Sequence, residues 1–205
     1  MLADLGIKEF VDQTASSKPV PGGGSAAALS GALAAGLTEM VAGLTIGRKG
    51  FEAVESDMQR IAEEAGELRK KCLQNIDRDS DAYTGVIDAF RLPKSSPEEK
   101  NTRKLAIQTA LQHASRVPLE TAELAARVIE LAGQVVAKGN PNAVTDGAVA
   151  GMLARTAVLA GAMNVRINLA TIEDRDFTAR LAGQVDELEA RAKKVEQELL
   201  AGLKL

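Results

Sequence analysis

The sequence predicts an all-α fold: a single multi-helix bundle of about seven helices across residues 1–205, with a long buried central helix. Three observations carry this. Apolar residues recur at steps of three and four in most segments, as one helix face requires. No segment sustains the period-two alternation of a half-buried strand. Two stretches, Ser25–Ile46 and Ala143–Ala162, are apolar nearly all round, their only charges being Glu39 in the first and Asp146 and Arg155 in the second. Helices of that kind sit inside a bundle.

Leu2 to Thr14 reads as a short helix with Leu5, Ile7, Phe10 and Val11 to one side, followed by a linker to Val20. Pro21 then fixes a backbone angle, and Gly22, Gly23 and Gly24 remove every β-carbon over successive residues. Backbone N–H groups there can approach a ligand or take positive φ without steric penalty. Ser25 is expected as the N-cap of the central helix. A glycine loop entering a helix N-terminus offers unpaired amides and a positive dipole end, a seat for an anionic or carbonyl-rich group. The competing reading is a tight corner between two helices. A phosphate loop is a weaker match, because no Lys-Ser/Thr pair follows the glycines. The apolar run is long enough to raise a membrane span, but Glu39 and the weak hydrophobicity of Ala and Gly favour a protein core.

Gly47-Arg48-Lys49-Gly50 forms a cationic turn, and a long helix is expected from near Phe51. Its stripe runs through Ile61, Ala65, Leu68, Cys72, Ile76, position 79, Tyr83, Val86 and Phe90. Position 79 is Asp, an acid where the pattern demands an apolar residue. Asp77 and Asp81 share a different, solvated face. Leu92-Pro93 ends this helix. Ser96-Pro97-Glu98-Glu99 opens the next with a capping box and a proline at the first helical position. That helix is expected to run to about Arg116, with another beginning at Pro118 and ending near Lys138-Gly139. Asn140-Pro141 repeats the cap-then-proline signature, with Asn142, Thr145 and Asp146 in the first turns. Asn164 and Asn168 lie one turn apart on one face. After Asp174, the residues Phe177, Leu181, Val185, Leu188, Val195 and Leu199 mark a last amphipathic helix.

A net charge of −3 and a pI near 5.4 argue against a polyanion-binding surface, and nucleic acid is not an expected partner. Aromatics make up 2 % of residues, which leaves no stacking platform for bases. One cysteine, Cys72, and one histidine, His113, exclude a Cys/His zinc site and an intrachain disulfide. A reducing compartment follows, and without a signal-like segment at the start the expected location is cytoplasmic. A Ser-His-Asp triad would need His113, which falls in mid-helix, and Cys72 lies on a core stripe. Carboxylates remain: Asp79 on an apolar face, and Asp146 near a helix start. Either can instead be structural, accepting hydrogen bonds or answering a helix dipole.

Several motifs resemble the cyclodeaminase/cyclohydrolase family: Pro21-Gly22-Gly23-Gly24-Ser25-Ala26-Ala27, Thr45-Ile46-Gly47-Arg48-Lys49, and Asp79 followed by Leu92-Pro93-Lys94. Gly139-Asn140, Thr145-Asp146 and Asn164-Val165-Arg166-Ile167-Asn168 continue the likeness in the same order over essentially the whole chain. The family comprises the C-terminal domain of formiminotransferase-cyclodeaminase and stand-alone bacterial methenyltetrahydrofolate cyclohydrolases. Thr145 stands where the family commonly has Ser, and Asp81 where relatives often have Glu. No transferase domain is expected beside this one.

The resemblance implies folate one-carbon chemistry at a carbon bridging two nitrogens, run by carboxylate acid/base catalysis without metal or cofactor. Asp79 is the expected acid/base. Asp146, the second candidate catalytic acid, and Asn164 or Asn168 would orient substrate. Pro21 to Ser25 would hold the pteridine, with Asn140 and Thr145 also at the substrate. Arg48, Lys49 and Lys94 would meet the folate glutamate carboxylates. Hydrolysis of methenyl-tetrahydrofolate is the expected reaction, with formimino-tetrahydrofolate cyclodeamination as the alternative. A non-catalytic helical scaffold is the rival of another class. The resemblance also implies a homodimer, as does apolar stripe in excess of what one small bundle needs; no membrane association is expected, on the residues of the central helix given above.

Overall fold

The computed structural model describes residues 1–203. Six α-helices build it: α1 (Ile7–Thr14), α2 (Gly23–Gly43), α3 (Glu55–Arg91), α4 (Pro97–Lys138), α5 (Val144–Leu169) and α6 (Arg175–Ala201). Short 3₁₀ turns at Leu2–Asp4, Glu52–Val54 and Pro141–Ala143 precede α1, α3 and α5. No strand occurs among the described residues. From α2 to α6 successive helices run antiparallel. The main core joins α2 (Ala34, Ala35, Val41), α3 (Met58, Ile61, Ala65), α4 (Val128, Ile129, Leu131) and α5 (Ala154). A second core joins the other end of α3 to α4, α5 and the start of α6 through Val86, Val117, Val165 and Phe177.

Three sequence expectations are corrected. The N-terminal helix is broken at Leu5–Gly6 into a 3₁₀ turn and α1, because Asp77 on α3 accepts the backbone N–H groups of Leu2 and Ala3 and pins the chain start. Ser25 is not the N-cap: Gly22 holds that place, and α2 begins three residues early, at Gly23. Ser25 is fully buried and its hydroxyl bonds across to α3 instead. The helices expected on either side of Arg116 and Pro118 are one, so α4 has 42 residues and the count is six. A proline inside a helix costs roughly 3 kcal/mol. Here Val117, Pro118 and Leu119 are all buried, and packing over the full length of α4 outweighs the break.

The capping box at Ser96 and Glu99 forms as the sequence predicts. The central helix α2 packs against α3, α4 and α5, and α4 touches all of α2, α3, α5 and α6. α2 is not enclosed all round, however: Leu33, Met40 and Leu44 are exposed, as are Val149, Met152, Met163 and Ile167 on α5. Both helices are long and apolar enough to cross a membrane, and half of each such window is buried in the bundle. Because α4 packs behind α2 and α5, their exposed residues share the opposite, outward side.

Candidate active site

α2 lies antiparallel along α3, and its first turn packs against the middle of α3. Two features of the sequence make this possible. Gly24 has no side chain, and a β-carbon there would fall on the Asp79 carboxylate. Ser25 Oγ then lies 2.9 Å from the Ile76 carbonyl and 3.1 Å from Asp79 Oδ2. The carboxyl of Asp79 is thus seated over the N-terminal turn of a helix, where the dipole favours negative charge. Burial nevertheless dominates and pushes the Asp79 pKa above the ordinary aspartate value, while the hydroxyl and backbone amide of Ser25 pull it back in part.

This seat serves both protonation states. When Asp79 is ionised, the Ser25 hydroxyl donates to it. When Asp79 is protonated, the carboxyl proton can go to Ser25 Oγ, whose own hydrogen then turns to the Ile76 carbonyl 2.9 Å away. Such an arrangement lets a carboxyl take and return a proton without leaving an orphaned polar group. A Ser25→Ala variant loses this contribution. Because the serine lowers the Asp79 pKa, the acidic limb of the kcat/KM profile is expected to move to higher pH. An unmoved limb would show that Ser25 does not tune the carboxyl.

Asp79 opens on a cleft of about 300 Å³ lined by Pro19, Val20, the three glycines, Tyr83, Val86, Ala114 and, from α5, Asn164, Ile167 and Asn168. Asn168 spends both amide N–H groups on backbone, and Asn164 spends one. Asn164 Nδ2 donates to the Ala160 carbonyl at 2.8 Å, and Asn168 Nδ2 donates at 3.0 Å to the carbonyls of Ala114 and Asn164. Their Oδ1 atoms make no hydrogen bond among the described residues, so acceptor oxygens of Asn164, Asn168 and Asp79 stand in the cleft opposite the amides of the glycine turn. A flat heterocycle carrying N–H groups, or a delocalised cation, matches those oxygens. Tyr83, one turn beyond Asp79, adds the one tyrosine ring of the chain at the cleft rim.

The structure divides the residues singled out in the sequence. Gly22, Gly23, Gly24, Asp79, Asn164 and Asn168 meet at this cleft, and Ser25 supports Asp79 from beneath. Pro21, joined to Val20 by a cis peptide, is buried and does not line the cleft, which corrects its expected role in contact with substrate. Arg48, Lys49, Asn140, Thr145 and Asp146 lie at the opposite end of the bundle, the length of α2 away, roughly 30 Å for its 21 residues. None of them reaches the Asp79 cleft of the same chain. Asn140 has a structural task there: its Nδ2 donates to the Leu44 carbonyl and its N–H to Thr45 Oγ1, closing the C-terminal end of α2. Lys94 lies beyond the end of α3 in a second groove, with Lys100, Arg103 and Lys104.

Two contributors went unread in the sequence. Tyr83 was assigned to the core stripe, although its place one turn from Asp79 was a usable signal. The Ala114 carbonyl had no signal except the proline four residues later.

Comparison with known proteins gives concordant results. The formiminotransferase-cyclodeaminase family matches residues 6–187. A methenyltetrahydrofolate cyclohydrolase of Methylorubrum extorquens is 40% identical over 186 residues, covering 91% of this chain and 89% of the relative. The formimidoyltransferase-cyclodeaminase of Rattus norvegicus is 32% identical across 94% of this chain, which spans only 36% of that longer protein. The crystal structure of formiminotetrahydrofolate cyclodeaminase from Thermotoga maritima superposes with a TM-score of 0.89 at 32% identity, covering 99% of this chain and 98% of that one. With the family match running over residues 6–187, 40% identity to a relative over nearly its whole length and the fold shared at a TM-score of 0.89, the chain belongs to the formiminotransferase-cyclodeaminase family.

Proposed function

We propose that this protein hydrolyses methenyl-tetrahydrofolate to formyl-tetrahydrofolate, with Asp79 as the acid/base. The observation that carries this reading is the seated carboxyl of Asp79, raised in pKa, facing a cleft that Asn164 and Asn168 also line. The substrate's methenyl carbon is part of a delocalised cation, which the acceptor oxygens there favour. Water adds to this carbon and gives one proton to Asp79, leaving a neutral carbinol between the two folate nitrogens. Asp79 returns that proton to one of the nitrogens, its bond to carbon breaks, and the hydroxyl proton leaves to solvent as the formyl C=O forms. One water enters and one proton is released. A carboxyl whose pKa burial raises suits both halves of this cycle, and the scheme calls on no metal or cofactor.

Ile107 and Ala114 share one face of α4, two turns or about 10 Å apart, so the groove of Lys94, Lys100, Arg103 and Lys104 lies on the same side of α4 as the cleft. We assign that groove to the glutamate carboxylates of the folate.

The second reading is cyclodeamination of formimino-tetrahydrofolate, favoured by the likeness to the Thermotoga maritima cyclodeaminase. Spectrophotometry separates the two. Loss of methenyl absorbance on adding enzyme supports the hydrolase, and a gain from formimino-tetrahydrofolate with release of ammonia supports the lyase. Neither change would reject folate catalysis and favour a helical scaffold.

We further propose a homodimer through the outward apolar side of α2 and α5. Arg48, Lys49, Thr145 and Asp146 can then serve an Asp79 cleft only from a second copy, since their own is roughly 30 Å away. A Leu33→Glu variant, which puts charge into that face, is expected to halve the mass seen by light scattering and to lose turnover. A wild-type chain that is monomeric at working concentration would contradict the dimer. A monomeric variant with full activity would contradict the shared site.

A further inference from the structure

Pro118 lies inside α4, where a proline has no backbone N–H to give the carbonyl four residues earlier. That carbonyl is Ala114, and Ala114 lines the cleft. Asn168 of α5 takes the vacancy, its Nδ2 donating to Ala114 O at 3.0 Å. The approach is close because Gly161, two turns before Asn168, packs directly on Pro118: a β-carbon at Gly161 would come within 2.8 Å of the Pro118 carbonyl and 3.1 Å of Ala122. A proline and a glycine on facing helices thus bring an unpaired helix carbonyl within reach of one asparagine.

We infer that Pro118 is a positioning residue for substrate binding: by withholding its N–H it reserves the Ala114 carbonyl for Asn168, which turns Asn168 Oδ1 toward the cleft. An N–H at position 118 would compete for the same carbonyl. Asn168 would then keep only its bond to Asn164 O, made within its own helix, and its side chain could rotate. The role deepens the folate reading above and rests on it for its kinetic expression, though not for its geometry.

The test compares two replacements in the full-length protein. Pro118→Ala supplies the N–H. Replacing Pro118 by lactic acid, through an α-hydroxy acid introduced at that codon, gives the alanine side chain with an ester oxygen and no N–H. Side-chain amide NMR of ¹⁵N-labelled protein reports on Asn168 without substrate, its resonance assigned by Asn168→Asp. The Asn168 amide protons are expected to shift in the alanine variant and to return to the wild-type position in the ester. In turnover, the alanine variant is expected to raise KM roughly tenfold with kcat little changed, because Asn168 contributes binding common to ground and transition states. The ester should restore KM, and Pro118→Ala should add nothing to Asn168→Ala.

Three outcomes would overturn the inference. An unmoved Asn168 resonance in the alanine variant is one. A shift that the ester fails to reverse is another, since the ring and not the missing N–H would then be at work. Additive effects of Pro118→Ala and Asn168→Ala on KM are the third. Failure of the folate reading looks different: no methenyl turnover in the wild type, with the resonance still following the N–H. Should the alanine variant not fold, the ester variant alone decides, because a displaced Asn168 resonance in a chain that still lacks the N–H contradicts the proposal and a wild-type one upholds it.

Discussion

Asp79→Asn is expected to lower turnover by roughly 10²–10⁴-fold, the usual contribution of a positioned general acid or base. Asparagine keeps the shape and can still accept from Ser25, so the seat stays filled while the exchangeable proton is lost. Stability should hold or rise. Burial raises the Asp79 pKa in the folded protein. Between the ordinary aspartate value and that raised one, the native state binds more protons than the unfolded chain. Stability therefore falls as pH rises through this window, and above it the ionised Asp79 is a net burden. The Asn variant should lose that slope. A structural aspartate gives the reverse pattern. Losing charge-assisted hydrogen bonds worth about 1.5–3 kcal/mol would lower the melting temperature, with activity following the folded fraction. Normal activity per folded molecule in the Asn variant would end the acid/base assignment.

The reasons some of this was legible in the sequence, and some not, are physical. Helical periodicity is a local property, so the stripe of α3 could be followed to the one position where an acid interrupts it, and Asp79 stood out. The same stripe misled at Tyr83 and Phe90, which are 40% and 48% exposed. α2 ends at the level of Asp79, so the face of α3 beyond that level loses the helix that would cover it. Nothing in a linear pattern reports where a neighbour stops. Pro118 misled for the opposite reason. Local propensity argues for a break, and the burial of Val117, Pro118 and Leu119 against neighbouring helices overrides it.

Distance was the quantity least accessible. Asn164 and Asn168 were placed on one face by their spacing, and they do share the cleft. Asn140, Thr145 and Asp146 belong to motifs as recognisable, yet they sit at the far end of the same antiparallel bundle. Motif order along a chain carries no information about which end of a helix a residue occupies until the turns are counted. The notable misreading at the glycine turn was the cap. Ser25 has the right residue type for an N-cap, but Gly22 takes the position and leaves the serine hydroxyl for α3.

That shift in register makes Gly24→Ala the sharpest single test of the seat, and its expected result is a loss of turnover of roughly 10²-fold or more. Gly24 lies within the first turn of α2, and its φ is not in the left-handed region, so the backbone there accepts alanine. Helix propensity even favours the substitution by up to about 1 kcal/mol. The nearest obstacle is Asp79, whose three carboxyl atoms are the closest neighbours a new β-carbon would meet. The carboxyl is the free end of a short side chain, so it yields by rotating out of the seat rather than by moving helices. A displacement near 1 Å at a reacting group costs on the order of 10²-fold. Melting temperature should change little, since the favourable helix term offsets part of the lost Ser25 contact. The displaced carboxyl gains water, so its pKa should fall toward the ordinary value, and any residual activity should keep an acidic limb at lower pH than the wild type. Combined with Asp79→Asn, the alanine should add almost nothing, because both changes remove one function. Wild-type turnover in Gly24→Ala would mean that the reaction does not use the carboxyl in this position, and a large additive loss would mean that the glycine serves substrate by a route independent of Asp79.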